Sequence, residues 1–134
     1  MFLEYFASFS LYFATALGVF SLFLFLYAKV TPYDDYRMIF EEKNSASALG
    51  FGGAILGLSI PLYSALVHSI SYNDFVMWGG VAMGIQLLFA FLLTRLNGRF
   101  SLKTRIEEGN IAAGAMMAFM SVSIGLLNAG SMSY

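Results

Sequence analysis

Four long uncharged runs alternate with short polar segments along the chain. The runs cover residues 5–28, 44–73, 75–94 and 109–134, and none of them contains an aspartate, glutamate, lysine or arginine. A helix needs about 20 mostly apolar residues to cross the hydrocarbon core of a bilayer. The pattern therefore predicts four transmembrane helices, and it leaves too few residues between them for a soluble domain.

The composition supports a membrane location and argues against several kinds of chemistry. Hydrophobic residues make up 59% and charged residues 11% of the 134 residues, whereas soluble domains carry about 25% charged residues. Cysteine is absent and His68 is the only histidine, while a catalytic zinc site needs about three protein ligands. We therefore predict an all-α integral membrane protein with no metal, no cofactor, no enzymatic activity and no nucleic-acid partner.

All lysine and arginine residues lie in two short segments, 29–43 and 95–108. They are Lys29, Arg37, Lys43, Arg95, Arg99, Lys103 and Arg105. Short loops rich in lysine and arginine stay in the cytoplasm. This distribution predicts a multi-pass protein of the bacterial inner membrane with cytoplasmic basic loops and both termini in the periplasm. We expect the four basic residues of the second segment to contact anionic lipid or a peripheral partner.

The chain matches itself when it is shifted by 66 residues without a gap. Matched pairs include Gly18 with Gly84, Phe25 with Phe91, Lys29 with Arg95, Arg37 with Lys103, and Ala46 with Ala112. Two crossings per unit would make both copies point the same way, related by an axis along the membrane normal. We predict two tandem, parallel two-helix units, residues 1–68 and 69–134.

A motif of two glutamates and an asparagine begins the second helix of each unit. It consists of Glu41, Glu42 and Asn44 in "EEKNSASA", and of Glu107, Glu108 and Asn110 in "EEGNIAAG". In one interpretation the carboxylates are solvated or paired with nearby cations, and the asparagines join helices. In the other, the six residues form the polar entrance of an ion site, because ionisable groups in membrane helices often serve transport. The sequence leaves both interpretations open.

Small residues recur at helical spacing in the second and fourth predicted spans. The packing positions are Gly50, Gly53 and Gly57, and Gly114, Ala118 and Gly125. Such stripes allow close approach of membrane helices, so we expect these two spans to be packing helices and to supply contacts between subunits. In the first loop, Thr31 followed by Pro32 predicts an N-cap and a short helix beginning at about Pro32.

The duplicated segments "EEKNSASALGFGGAILG" and "EEGNIAAGAMMAF" resemble an uncharacterised bacterial family, the domain of unknown function 350 or YjfL-like inner-membrane proteins. The resemblance implies tandem two-transmembrane units in the inner membrane. It also implies an association with phage-shock-protein-A-like membrane-remodelling proteins, and hence a role in envelope maintenance. It implies no particular reaction.

Two functions follow as expectations. The first is a non-enzymatic, homo-oligomeric inner-membrane protein in envelope stress or membrane organisation, with the lipid bilayer and a phage-shock-protein-A-like peripheral protein as partners. The alternative is a cation or proton channel, or a small transporter, formed by an oligomer.

Overall fold

The computed structural model describes residues 1–132, and Ser133 and Tyr134 of the second predicted unit lie outside this range. The helices are α1 (Phe2–Val30), α2 (Asp35–Phe40), α3 (Ser45–His68), α4 (Tyr72–Thr94), α5 (Leu102–Glu107) and α6 (Ile111–Ser131), with a 3-10 turn at Gly98–Phe100. The described residues contain no strand. Helices α1, α3, α4 and α6 are long and apolar enough to cross a membrane. The predicted all-α architecture with four candidate spans is confirmed.

The closest helix pair is α3 and α6, which run side by side in the same direction. Ala46 lies against Gly114 near their first turns, and Gly57 lies against Gly125 further along. A methyl group added at Gly53 would overlap the backbone of Ala118, and one added at Gly57 would lie 2.5 Å from the carbonyl oxygen of Ser121. Glycine is needed here because only the absence of a side chain lets the two backbones approach.

The predicted packing positions therefore face a partner helix of the same chain. Gly50 differs from its neighbours, because its contact is the sulfur of Met117, 3.2 Å from where a Cβ would stand. Gly57 and Gly125 are covered by this contact within one chain, whereas Gly53 and Ala118 also line an open groove. The expectation that these positions supply contacts between subunits stays a prediction.

The other parallel pair, α1 and α4, has longer side chains between its helices. Near one end, Thr15 Oγ1 lies 2.8 Å from the Tyr72 hydroxyl, and the ring of Tyr12 packs edge-on against that of Tyr72. Near the other end, Arg95 donates to the carbonyl of Val30 at 3.1 Å. Helix α3 is the most buried span and α1 the least buried, so α1 is the outermost helix.

Residues 31–44 and 95–110 come together at one end of the molecule, because α3 and α6 start there in parallel. We call this the charged end. The prediction of a helix from Pro32 is wrong: α2 begins at Asp35, and the Asp34 side chain caps it by accepting from the backbone N–H of Arg37. Thr31 instead ends α1, where its N–H donates to the carbonyl of Tyr27.

Candidate functional site at the charged end

The repeated asparagine starts a helix in both places. Asn44 Oδ1 accepts from the N–H of Ser47 at 3.1 Å, and Asn110 Oδ1 accepts from the N–H of Ala113 at 3.2 Å. Both are N-caps, which satisfy a backbone donor that the first helical turn leaves free. The preceding residues, Lys43 and Gly109, both have left-handed backbones, with φ of 54° and 81°. The two motifs thus have the same local structure.

The surroundings of the two asparagines differ. Asn44 is buried, and its Nδ2 donates to the carbonyl oxygen of Ile106 at 2.7 Å. This bond joins the start of α3 to α5, in the other half of the chain. Asn110 is exposed, and its cap is the one side-chain hydrogen bond that the structure describes for it. Only Asn44 therefore joins helices across the charged end.

The four motif glutamates are exposed, and two of them form ion pairs. Glu42 lies 3.1 Å from Arg37 Nε, and Glu107 lies 2.9 Å from Lys103 Nζ. Exposed pairs of this kind contribute about 0–1 kcal/mol to stability. Both pairs are local, so they explain why the charges are tolerated at helix ends and do not by themselves indicate a function.

The two motifs nevertheless meet at one surface cleft of about 320 Å³, which we call the acidic cleft. Its lining residues are Glu42, Lys43, Asn44, Ser45, Glu107, Glu108, Gly109 and Ile111. Glu41 and Asn110, also predicted site residues, lie outside this lining. The described residues contain no group of three histidine or carboxylate side chains suited to a metal ion.

Asp35 is a buried carboxylate that sequence reasoning did not single out. It is 2% exposed, and it accepts hydrogen bonds from Thr31 Oγ1 at 2.5 Å and from Ser47 Oγ at 3.3 Å. Burial raises the pKa of Asp35 to about 6, against the lowering effect of the two hydroxyl hydrogen bonds. The ion pairs found within residues 1–132 do not involve Asp35.

Two tyrosines surround this carboxylate. The Tyr33 hydroxyl is directed at the sulfur of Met117 at 3.7 Å, and burial, reinforced by the charges of Asp35 and Glu107, raises the pKa of Tyr33. The Tyr27 hydroxyl is buried without a hydrogen-bond partner and interacts electrostatically with Tyr33 and Asp35. We call Tyr27, Thr31, Tyr33, Asp35 and Ser47 the Asp35 cluster.

Two basic residues of the second segment, Arg99 and Arg105, border a different depression, of about 450 Å³, which we call the arginine cleft. It is lined by Leu96, Arg99, Phe100, Leu102, Arg105, Asn110, Ala112, Ala113, Met116 and Met120. Its walls are apolar, and Arg99 and Arg105 supply its positive charge. The other two predicted lipid contacts lie outside it: Lys103 pairs with Glu107, and the Arg95 guanidinium lies 4.5 Å from the centroid of the Phe91 ring.

Comparisons with known proteins identify the family. The family model described as Domain of Unknown Function (DUF350) matches residues 1–132. The "UPF0719 inner membrane protein YjfL" of Escherichia coli K12 is 38% identical over 127 residues, covering 95% of this chain and 94% of that protein. The "UPF0719 transmembrane protein YshE" of Bacillus subtilis 168 is 30% identical over 117 residues, covering 84% of each chain.

No solved structure matches this chain. The family resemblance inferred from the duplicated motif is confirmed, and so is the inner membrane as the location of a protein with four apolar helices. On the family match over nearly its whole length, this chain belongs to DUF350, a family of domains of unknown function.

Proposed function

We propose that this protein is a non-enzymatic component of the inner membrane whose charged end binds anionic phospholipid, in the service of membrane organisation or the envelope stress response. The observation that carries the proposal is the arginine cleft. Its apolar walls match an acyl chain, and Arg99 and Arg105 match a phosphate, which guanidinium groups bind through charge-assisted hydrogen bonds. Basic pockets between membrane helices are typical binding sites for anionic headgroups.

Two further cations support lipid contact at this end. Lys29 Nζ lies 5.2 Å from the centroid of the Phe25 ring, and Arg95 is placed in the same way over Phe91. Each pair combines an apolar ring with a cation in the last turn of a spanning helix, or directly after it. This is the arrangement in which basic side chains reach the headgroup region while their stems remain in the apolar layer.

We also propose an orientation of the protein in the membrane and an internal repeat of its two halves. The charged end would face the cytoplasm and both termini the periplasm, on the strength of its basic residues. The halves would be tandem parallel units. Supporting features are the parallel pairs α1–α4 and α3–α6, the matched caps at Asn44 and Asn110, and the left-handed residues before them.

Association with other proteins is also part of the proposal. Two of the seven basic side chains, Arg37 and Lys103, form the ion pairs described above, which leaves positive charge for contact with a phage-shock-protein-A-like peripheral protein. Homo-oligomers would form through surfaces outside the α3–α6 contact. A groove of about 460 Å³ on the open side of these helices, between Leu56 and Phe119, supports this.

The lipid proposal is tested by native mass spectrometry of the purified protein with phosphatidylglycerol. We expect the double variant Arg99→Gln/Arg105→Gln to bind this lipid roughly tenfold or more weakly, because two charges near the headgroup contribute about 1 kcal/mol each. Lys103→Gln is the matched control, since Lys103 is a basic residue of the same helix outside the cleft. Equal affinity of the double variant and the control would contradict the proposal.

A second candidate, an oligomeric cation or proton channel or small transporter, is favoured by the acidic cleft. Three carboxylates from two distant segments, Glu42, Glu107 and Glu108, line one depression. The backbone contact between α3 and α6 leaves no space for a conduction path between them, so such a path would run between copies of the chain.

A further inference from the structure

The Asp35 cluster belongs neither to the arginine cleft nor to the lining of the acidic cleft. Three parts of the chain enclose its carboxylate: the end of α1 with Tyr27 and Thr31, the linker residue Tyr33, and Ser47 in α3. A carboxylate removed from water in this way is costly to keep ionised unless a cation or several hydrogen bonds stabilise it. Here the partners with described hydrogen bonds are two hydroxyl groups.

The charged and titratable groups around Asp35 are few. Tyr27 and Tyr33 interact with it electrostatically, and the adjacent Asp34 is a like charge. Ser47, from α3, does not titrate. From α5, the charge of Glu107 acts on Tyr33. No positive group has a described contact with the carboxylate, so its environment favours the neutral acid more than an ordinary surface position does.

The hydroxyl of Thr31 lets the cluster accommodate either protonation state. Its oxygen lies 2.5 Å from Asp35 Oδ2 and 3.3 Å from each of the carbonyl oxygens of Tyr27 and Tyr33. When Asp35 is ionised, the hydroxyl donates to the carboxylate. When Asp35 is protonated, the acid donates to the hydroxyl oxygen, and the hydroxyl hydrogen turns to a carbonyl. No helix has to move in this exchange.

The Tyr27 hydroxyl is a second, independent feature of the same place. Tyr27 is 1% exposed, and its hydroxyl has no hydrogen-bond partner although it lies within electrostatic range of Asp35. Leaving a buried hydroxyl unpaired costs free energy. A hydrogen bond from this hydroxyl to the ionised carboxylate, which the described structure does not contain, would satisfy both groups.

We propose that Asp35 is a reversible proton-binding site, with Thr31, Ser47 and Tyr27 as the groups that stabilise its two states. The proton comes from water, adds to a carboxylate oxygen and returns to water, and no other covalent bond changes. A proton fits better than a metal ion, because Asp35 is the one carboxylate of its cluster, and the described residues contain no group of three histidine or carboxylate side chains that could hold a metal.

The test is an NMR titration of the full-length protein in lipid nanodiscs, labelled with ¹³C at the aspartate carboxyl carbon. The chain has only three aspartates, Asp34, Asp35 and Asp74, so each signal is assigned with one Asp→Asn variant. We expect one signal to titrate with a midpoint near pH 6 and to vanish in Asp35→Asn. Asp74→Asn, the matched control, should remove another signal and leave that midpoint unchanged. Midpoints below pH 5 for all three carbons would overturn the proposal.

The same titration in two variants tests the partners. Ser47→Ala removes a donor to the ionised form, so the Asp35 midpoint should rise. Tyr27→Phe should also raise it if the hydroxyl turns to donate to the ionised form, as the proposal requires. A midpoint unchanged in both variants would overturn the assigned roles of these hydroxyls.

A thermal measurement supplies an independent readout. The folded protein would hold a proton between about pH 4 and 6 that an unfolded aspartate releases, so wild-type stability should fall with rising pH across that window. From about pH 7 upward, where the folded carboxyl has lost its proton, the difference in melting temperature between the wild type and Asp35→Asn should be constant. A difference that does not change between pH 4 and 6 would contradict the proposal.

Discussion

Asn44 and Asn110 show how one residue type serves two different purposes at the charged end. Both cap a spanning helix, but only Asn44 also donates across the molecule, to the carbonyl of Ile106. Loss of the Asn44 side chain would remove this buried hydrogen bond as well as the cap, although the Ile106 carbonyl would still accept from the N–H of Gly109. That loss is more costly than losing an exposed cap alone.

We therefore expect Asn44→Ala to destabilise the protein more than Asn110→Ala. Loss of a cap costs about 1 kcal/mol. Loss of the buried hydrogen bond to Ile106, whose carbonyl keeps the backbone N–H of Gly109 as a donor, adds about 0.5–1.5 kcal/mol. Asn110→Ala should cost about 1 kcal/mol from the cap alone. The measurement is reversible unfolding in mixed detergent micelles. Similar losses in the two variants would show that the bond to Ile106 contributes nothing.

Individual side chains were only partly predictable. The ion pairs of Glu42 and Glu107 with nearby cations were among the alternatives that the sequence offered. Asp35 was not identified, because Asp34 and Asp35 are adjacent and only the starting residue of α2 decides which of them is buried. With the helix starting at Asp35, Asp34 becomes the exposed cap and Asp35 faces α3. A start at Pro32, as the sequence suggested, gives no such assignment.

At the scale of helices, the contact between α3 and α6 depends on glycines at a few positions. Gly57 lies where an added methyl group would meet the carbonyl of Ser121 and the amide of Gln86, while Gly52, on the same helix, has open space beside it. The two positions are matched in residue type and helix and differ only in what they face.

This difference gives a prediction for Gly57→Ala with Gly52→Ala as its control. Gly57→Ala should destabilise the protein by about 1–3 kcal/mol, because the helices must separate to admit the methyl group. Gly52→Ala should be neutral or stabilising by up to about 1 kcal/mol, since alanine favours helix. The measurement is the free energy of unfolding of both variants under the same conditions. Equal changes in the two variants would argue against the close contact at Gly57.

The positions of the spanning helices along the chain were more predictable than the sides by which the helices pack. The four spans follow from the spacing of charges, because a bilayer requires long uncharged stretches. The spacing of small residues does not by itself show which stripe of α3 meets α6, because small residues occupy two neighbouring stripes of that helix. The structure selects the one with Ala46, Gly53 and Gly57 and leaves Gly52 outside. Helix rotation is set by packing between elements, which periodicity alone does not contain.

At the scale of the whole molecule, the charged end combines an acidic cleft with an arginine cleft. The two lie on neighbouring surfaces, and Arg105 and Glu108 together border a third depression between them. Binding of an anionic lipid at the arginine cleft and passage of a cation at the acidic cleft are different functions. Only the second predicts transport, which can be measured directly.

Ion flux through purified protein in liposomes separates the two functions. If the second candidate is right, flux exceeds that of empty liposomes and falls several-fold in Glu42→Gln and in Glu108→Gln. Glu41→Gln is the matched control, because Glu41 does not line the acidic cleft. Absence of flux across several cations and pH gradients, with folded protein confirmed, would reject the channel and favour the lipid-binding proposal.

The α3–α6 contact has one more consequence, which concerns the joining of the two halves in one chain. Residues 1–68 alone would carry the glycine stripe of α3 with nothing from α6 to cover it, and residues from 69 onward would lack the partner of α6. Two short chains would have to find each other in the membrane to bury these faces. A continuous chain raises their effective concentration by linkage, so the two tandem units that we propose would correspond to a covalently joined dimer of helical hairpins.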